Sequence, residues 1–450
     1  MSQNREIPRG FLPNEIGDKI AMNKQDNTLL TGVKSDTIMG KFIRKFWVPV
    51  IRGDALERDG APVRVTLFGD KFVAFRSTNG EVGILDEACP HRGVSLALGR
   101  NEENGLRCIF HGWKFDTHGK VIDAPCEPAE SRERFCKNIR VNQYAVHETA
   151  GVVWAYVGGG EPPPFPEFEF NTLPPARVVI RRAIVPYNWV QAVEAHIDSS
   201  HVPFLHRGFL TKNRDRLDSL RAENLAAMMV DTSPTFDAQE TAYGLREAAL
   251  RNMGEGKTYA RIREIVLPFF TFIPGPEVGP FGGRASVPID DGSSAEWYIL
   301  YHPDRDLTES DIKTVFGGSS DDPDNFAANM GTEESLWDQD RTAMREGHFS
   351  GLTKGLPFED FIVQSSMGSN VDRSLEQLGS SDKIIIKVRR MLLEAARSYS
   401  DGKPAQWTSG FTYKSIQARS ATFEAGLDWR DFASLNNAPP SKEAAKEETS

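Results

Sequence analysis

Two short runs, Cys89-Pro90-His91 and Cys108-Ile109-Phe110-His111, constrain this chain more than any other part of it. Each offers one thiol and one imidazole, and sixteen residues separate His91 from Cys108. A fold that uses both runs must bring two loops together around metal, with Gly93 and Gly112 supplying tight backbone turns close behind each pair.

In a Rieske [2Fe–2S] centre, two cysteines hold one iron and two histidines hold the other. Neutral imidazole in place of thiolate lowers the negative charge of the cluster and raises its potential. The four residues Cys89, His91, Cys108 and His111 match that donor set. The same ligand types could also build a tetrahedral zinc site. Zinc pairs usually run Cys-x2–4-Cys and His-x3–5-His, whereas here each pair is mixed. Colour separates the two readings, because zinc is spectroscopically silent and a Rieske cluster is brown.

The chain has four cysteines in 450 residues, too few for a disulfide framework. Cys126 and Cys136 fall outside the pattern and are expected to pack as small hydrophobes. His118 and His147 are expected on the surface or in turns. A formal charge of −10 argues against a general grip on nucleic acid. Met1 to Glu6 lacks an apolar signal core, and no apolar run has membrane-spanning length, so a cytoplasmic location is expected.

From about Lys41 to Val157 the sequence reads as strands separated by turns. Val63–Phe68 alternates, Gly69-Asp70-Lys71 turns, Phe72–Phe75 follows, and Asn79-Gly80 leads into Val82–Leu85. The run Gly158-Gly159-Gly160-Glu161-Pro162-Pro163-Pro164-Phe165-Pro166 suits neither strand nor helix and is expected to link two domains. The expected division is an N-terminal segment (1–40), a metal-cluster domain (41–160), a second domain (161–435) and a disordered tail (436–450). In the second domain a helix is expected from Asn188 to Ser200. Strands are expected over Tyr259–Leu267 and Ala295–Tyr301, and a long helix over Ser381–Ser398.

A second ligand set lies beyond the linker: Glu194, His196, Asp198, His201 and His206. Asp198 and His201, three apart, would share a helix face. His201 and His206 would diverge by about 140° on an ideal helix. Pro203 between them would distort the helix and let both imidazoles face one ion. Two histidines and a carboxylate on one face of iron leave positions open for dioxygen and substrate. On their own, the two histidines could equally be packed or exposed. Behind an electron-carrying cluster, they are better read as its electron sink.

With these motifs in order, the chain resembles the terminal oxygenase (alpha) subunits of Rieske non-haem iron ring-hydroxylating oxygenases, whose pattern is Cys-x-His, Cys-x2-His, then Asp-x2-His-x4-His. It is most similar to the phthalate 4,5-dioxygenase group, through Asp86–Gly93, Asp198–His201 and Phe358–Gly368. The resemblance implies an α+β fold: an antiparallel β Rieske domain, then a helix-grip (START-like) catalytic domain with an antiparallel sheet and flanking helices. It implies a [2Fe–2S] cluster on Cys89, His91, Cys108 and His111, and a mononuclear Fe(II) on His201, His206 and Asp360. Asp338, Asp340 and Asp372 are nearby alternatives that do not match the motif position. Glu359 stands where this group often has Gln. Glu194 stands where some members carry Asn near the iron, and His196 is not part of the pattern and is expected to face away from His201.

The resemblance further implies that Asp198 connects an iron-ligand histidine to a cluster histidine of a neighbouring subunit, which requires a homotrimer or stacked trimers. No Gly-x-Gly-x-x-Gly nucleotide fingerprint follows a strand. Electrons would therefore come from a separate NADH-dependent flavin and iron–sulfur reductase, with or without a ferredoxin. The substrate implied is an aromatic acid, whose carboxylate would suit an arginine. Arg246 is the candidate, with Arg251 beside it, and Phe269, Phe270 and Phe272 are either pocket wall or core. Ring dihydroxylation, monohydroxylation and O-demethylation all remain open, as does a non-enzymatic electron carrier fused to a ligand-binding domain.

Overall fold

The computed structural model describes residues 22–212, 227–275, 279–322 and 324–434. The tail expected at 436–450 and residues 1–21 of the expected N-terminal segment lie outside them. Helices α1 (Lys24–Thr31) and α2 (Ile38–Ile43) precede the first strand, each with a side-chain cap, from Asn23 and Thr37.

Ten strands follow: β1 (Val48–Arg52), β2 (Val63–Leu67), β3 (Asp70–Arg76), β4 (Val82–Asp86), β5 (Arg100–Glu102), β6 (Gly105–Arg107), β7 (Lys114–Phe115), β8 (Val121–Asp123), β9 (Ala145–Thr149) and β10 (Val152–Tyr156). They form three antiparallel sheets, ordered β1-β10-β9, β2-β3-β4 and β5-β6-β7-β8. The alternation read in the sequence is real: Val65 and Leu67 are buried while Arg64 faces outward. Helix α3 (Ala129–Lys137) lies against β8.

Residues 158–168 carry no regular element. Beyond them, β11 (Val178–Val185), β12 (Thr235–Thr241), β13 (Gly244–Gly254), β14 (Lys257–Val266), β15 (Phe270–Ile273), β16 (Phe281–Asp290), β17 (Ser293–Tyr301) and β18 (Arg419–Glu424) build one antiparallel sheet. Its order is β11-β17-β16-β15-β14-β13-β12. Strand β14 shares its second edge, pairing with β15 near its end and with β18 near its start.

Helix α4 (Trp189–Ile197) packs on β15, β16 and β17. The one-turn helix α5 (Val202–Leu205) follows, and α6 (Leu356–Ser366) packs against α4. Helix α7 (Lys383–Ser400) buries Ile384, Val388, Leu392 and Ala396 at helical spacing. This is the expected mixed architecture, an antiparallel sheet gripped by helices.

Aromatic packing joins the two halves. Trp154 stacks on Phe270 (centroids 5.8 Å apart) and Phe68 on Phe269 (6.0 Å). Phe269, Phe270 and Phe272 are therefore core residues between the sheets and do not line the pocket.

The expected helix 188–200 is corrected. It ends at Ile197, and Asp198 leaves helical geometry with ψ 122°. Pro203 does not break a helix; it sits in the first turn of α5, where a missing N–H costs nothing. His201 is the N-cap residue of α5 and His206 its C-cap.

Candidate metal centres and the pocket beside them

The two cysteine loops repeat one design. Cys89 N–H donates to Val94 O and Cys108 N–H to Trp113 O, both at 2.8 Å. The N–H of the glycine four residues on returns to each cysteine carbonyl, Gly93 at 2.8 Å and Gly112 at 3.0 Å. Both glycines have positive φ, 77° and 74°, and a Cβ at Gly112 would fall 2.7 Å from Pro125.

Cys89 and Cys108 are buried, and the two imidazoles lie nearer the surface with ring centroids 4.5 Å apart. His91 stacks on Trp113, which fixes its ring plane. Burial, with Cys108 beside it, pushes the Cys89 thiol up to about 11 despite backbone N–H donors, so metal binding must displace its proton. His111 Nδ1 is buried with no hydrogen-bond partner among the described residues. A partnerless imidazole nitrogen beside two thiols fits a metal cluster.

No three of these four residues bring their ligand atoms within 4.8 Å of one another, as one zinc ion would require. Two ions bridged into a cluster need no such convergence. Cys126 is exposed rather than packed, its thiol reaching His111 O at 3.5 Å. Cys136 does pack, at the edge of the small core beneath the loops. His118 is exposed and pairs with Glu81 at 3.3 Å, and His147 lies on β9 against Phe165.

The second centre forms where α5 meets α6. His201 Nε2 and His206 Nε2 lie 3.2 Å apart. Asp360 Oδ1 lies 3.5 Å from the first and 3.2 Å from the second. Cis ligands about 2.1 Å from one metal stand roughly 3 Å apart, so this near-equilateral triangle fits one face of an octahedral ion. Among the described residues these three alone converge in this way.

Asp338, Asp340 and Asp372 are engaged elsewhere: Asp338 pairs with Lys354, while Asp340 and Asp372 cap short helices. Burial opposes ionisation of Asp360, but His206 and His201 outweigh it and hold the carboxyl down at about 2. Burial likewise works against His206, and Asp360 and Glu359 lift it to about 9.

Each histidine has a second carboxylate on its far nitrogen. Asp198 Oδ2 lies 3.3 Å from His201 Nδ1, and its Oδ1 accepts the Ser200 N–H at 2.6 Å. The turn after α4, not a shared helix face, brings Asp198 and His201 together. Glu359 Oε2 lies 2.9 Å from His206 Nδ1.

Glu194 points away from the metal, into a buried pairing with Arg373 and Arg389. His196 is outside the triangle but lines the same pocket, which corrects the expectation that it faces elsewhere. Burial drives its pKa down to about 3, and its partner Glu296 is raised by burial to about 8.

A cavity of about 260 Å³ opens beside the triangle, lined by Asp198, His201, His206 and Asp360 at one end. Its walls include Arg261, Arg263 and Arg284. Arg263 donates to His196 O at 3.1 Å and lies 3.6 Å from Glu247. Arg284 lies 3.7 Å over the Tyr298 ring and donates to Gly283 O. The Arg261 side chain has no ion pair or hydrogen bond among the described residues, and burial, then Arg263, lowers its pKa.

Arg246 is not in this wall. It stands across from Glu264 on the other face of the sheet, bonded to that carboxylate at 2.6 Å and to the Tyr243 hydroxyl. Arg251 is buried against Ser199 O and Asp231 O. The signal for the right arginines was present in Tyr259-Ala260-Arg261-Ile262-Arg263, where alternate positions put two cations on one face of a buried strand.

Residues 46–145 match the Rieske [2Fe-2S] domain family, and residues 155–450 match the family described as LigXa C-terminal domain like. The phthalate 4,5-dioxygenase oxygenase subunit of Pseudomonas putida is 36% identical, over 91% of this chain and 94% of its own. The 3-chlorobenzoate-3,4-dioxygenase oxygenase subunit of Comamonas testosteroni is 35% identical, over 83% and 89%. The 5,5'-dehydrodivanillate O-demethylase oxygenase subunit of Sphingobium sp. is 27% identical, over 85% and 82%. Among solved structures, the terminal oxygenase of carbazole 1,9a-dioxygenase from Novosphingobium sp. KA1 superposes with a TM-score of 0.53 at 19% identity, over 82% of this chain and 95% of that one.

Proposed function

Since the chain belongs to the Rieske non-haem iron oxygenases, as a terminal oxygenase with a [2Fe–2S] cluster and a mononuclear iron, we propose that it hydroxylates an aromatic acid carrying two carboxylates, in the manner of a phthalate. The observation that carries this reading is the trio Arg261, Arg263 and Arg284 in the wall of the cavity that the metal triangle closes. Arg261 and Arg284 are half-buried with no carboxylate in ion-pair contact, and a carboxylate ligand would supply one in bidentate geometry. The likeness to phthalate and chlorobenzoate oxygenase subunits supports the same substrate class.

In this reading Cys89, His91, Cys108 and His111 hold the cluster, and His201, His206 and Asp360 hold the iron. When bound, the cluster passes single electrons and the iron activates dioxygen. The protein's own part is to orient and to shield. The arginines fix the carboxylates so that a ring edge faces the open side of the triangle. Asp198 holds His201 by Nδ1 and, being partly exposed, can accept a second N–H from a cluster histidine of another subunit. Exposed apolar side chains flank both sites: Ile109 and Phe110 within the cluster loop, Phe204 and Phe349 beside α5. Such surfaces favour a homo-oligomer, a trimer or stacked trimers, in which the cluster of one copy docks at the iron of the next.

Electrons would come from a separate NADH-dependent flavin and iron–sulfur reductase, directly or through a ferredoxin. The reaction would take place in the cytoplasm, and no helix among the described residues is long and apolar enough to cross a membrane. The proposed working units are residues 41–160 for the cluster and 161–435 for the iron. A second reading, removal of a methyl group from a methoxylated aromatic acid, is favoured by the O-demethylase relative. An electron carrier with a ligand-binding domain is set aside, because the relatives are oxygenases.

The deciding experiment supplies reductase and NADH with phthalate, benzoate and methoxybenzoate. Diol formed from the diacid supports the proposal. Formaldehyde from the methoxy acid with no diol from the diacid overturns it.

A further inference from the structure

We infer that Glu359 is a positioning residue that makes His206 a stronger, electron-richer ligand than a neutral acceptor in its place would. This inference rests on the reading of His201, His206 and Asp360 as a metal site. Glu359 and Asp360 are neighbours on α6, so their side chains leave the helix about 100° apart. They meet the His206 ring from opposite edges, Asp360 Oδ1 at 3.2 Å from Nε2 and Glu359 Oε2 at 2.9 Å from Nδ1.

The Nδ1–H donated to Glu359 fixes the tautomer that leaves the Nε2 lone pair free for metal. Glu359 is itself held: its other oxygen accepts the Ser350 hydroxyl at 2.5 Å, and the side chain has no exposed surface. His206 and Ser350 are also buried, so the Ser350–Glu359–His206 chain is shielded from water and its charge is not screened. His201 differs, because its carboxylate, Asp198, is partly open to solvent. The two histidine ligands are therefore unequal: one is held by a shielded carboxylate, the other by one that can also accept a partner.

A carboxylate on the far nitrogen pushes electron density toward the metal and favours the more highly charged ion. The variant E359Q keeps the oxygen that accepts from His206, with Ser350 turned to accept from the new amide, but loses the charge. E359L loses both. The test titrates the cluster-loaded protein with Co(II) as a visible-spectrum probe of the triangle, and with Fe(II) and Fe(III) in parallel. Thermal unfolding followed by circular dichroism reports folding in each variant, because the cluster lies outside the unit that holds Glu359.

E359L should weaken Co(II) binding by about 10- to 100-fold, the usual cost of removing such a support. E359Q should restore Co(II) binding to within a few-fold, yet lower the preference for Fe(III) over Fe(II) by about tenfold, since only charge has gone. Should E359L fail to fold, E359Q decides by that preference alone. Wild-type Fe(III) preference in E359Q overturns the inference. Wild-type protein that binds no Co(II) overturns the metal reading beneath it.

Discussion

Replacing Arg261 by Met tests the substrate reading most directly. The other two pocket arginines are partly engaged, Arg263 by His196 O and Glu247, and Arg284 by Tyr298 and Gly283 O. The Arg261 guanidinium makes no ion pair or hydrogen bond among the described residues, and Glu247 acts on it only at a distance. A hydrogen bond to a charged group contributes about 1.5–3 kcal/mol. At 1.4 kcal/mol per tenfold, R261M should raise the Kd of an aromatic diacid roughly 10- to 150-fold. The carboxylate does not react, so the loss should fall mainly on KM, with kcat less affected.

The variant should also be about as stable as the parent, because the half-buried guanidinium removed makes no close ion pair or hydrogen bond. The assay is calorimetric or spectroscopic titration of the resting protein with phthalate, and with its neutral diester as control, followed by steady-state turnover. An unchanged Kd for the diacid would refute the reasoning. So would an equal loss of affinity for the neutral diester, which would assign the effect to shape and not to charge.

D198A should leave cluster colour and iron content intact while turnover falls by about 100-fold or more, the scale of losing a ligand-orienting group; parent-like turnover would sink the bridging role. R246L should leave substrate KM unchanged and cost about 3–5 kcal/mol in denaturant unfolding, because buried Glu264 loses its cation and keeps only the Tyr243 hydroxyl. Metal affinity should rise with pH. In the metal-free protein His206 holds a proton up to about 9, which metal must displace, so log affinity for Co(II) should climb about one unit per pH unit below 9 and flatten above it. A pH-independent affinity between 6 and about 8 would contradict that proton inventory.

The cluster loops were legible because thiol and imidazole at fixed spacing have few other uses, and their local hydrogen bonds repeat within six residues. His201 and His206 were legible as types, but the route that joins them was not. A side-chain turn at Asp198 ended the helix early, a choice set by one carboxylate and the Ser200 N–H. Helical periodicity does not register that competition. Asp360, more than 150 residues away, came from family likeness and not from spacing. The pocket cations were missed for another reason. Arg246 and Arg261 sit on neighbouring strands of similar composition, and only the pairing register tells which face each takes. The ion cluster of Glu194 with Arg373 and Arg389 joins residues about 180 or more positions apart, and no local pattern announces it.

All three atoms of the metal triangle ride on α5, α6 and the residues that cap them, whereas the pocket arginines ride on β14 and β16. The machinery that handles oxygen and the surface that chooses its target thus belong to different layers of secondary structure. Diversity introduced at wall positions such as 261 and 284 can be screened for new aromatic targets without disturbing the ion. An insertion in the single helical turn between His201 and His206 has no such freedom, because one added residue rotates the second imidazole by about 100° and dismantles the site.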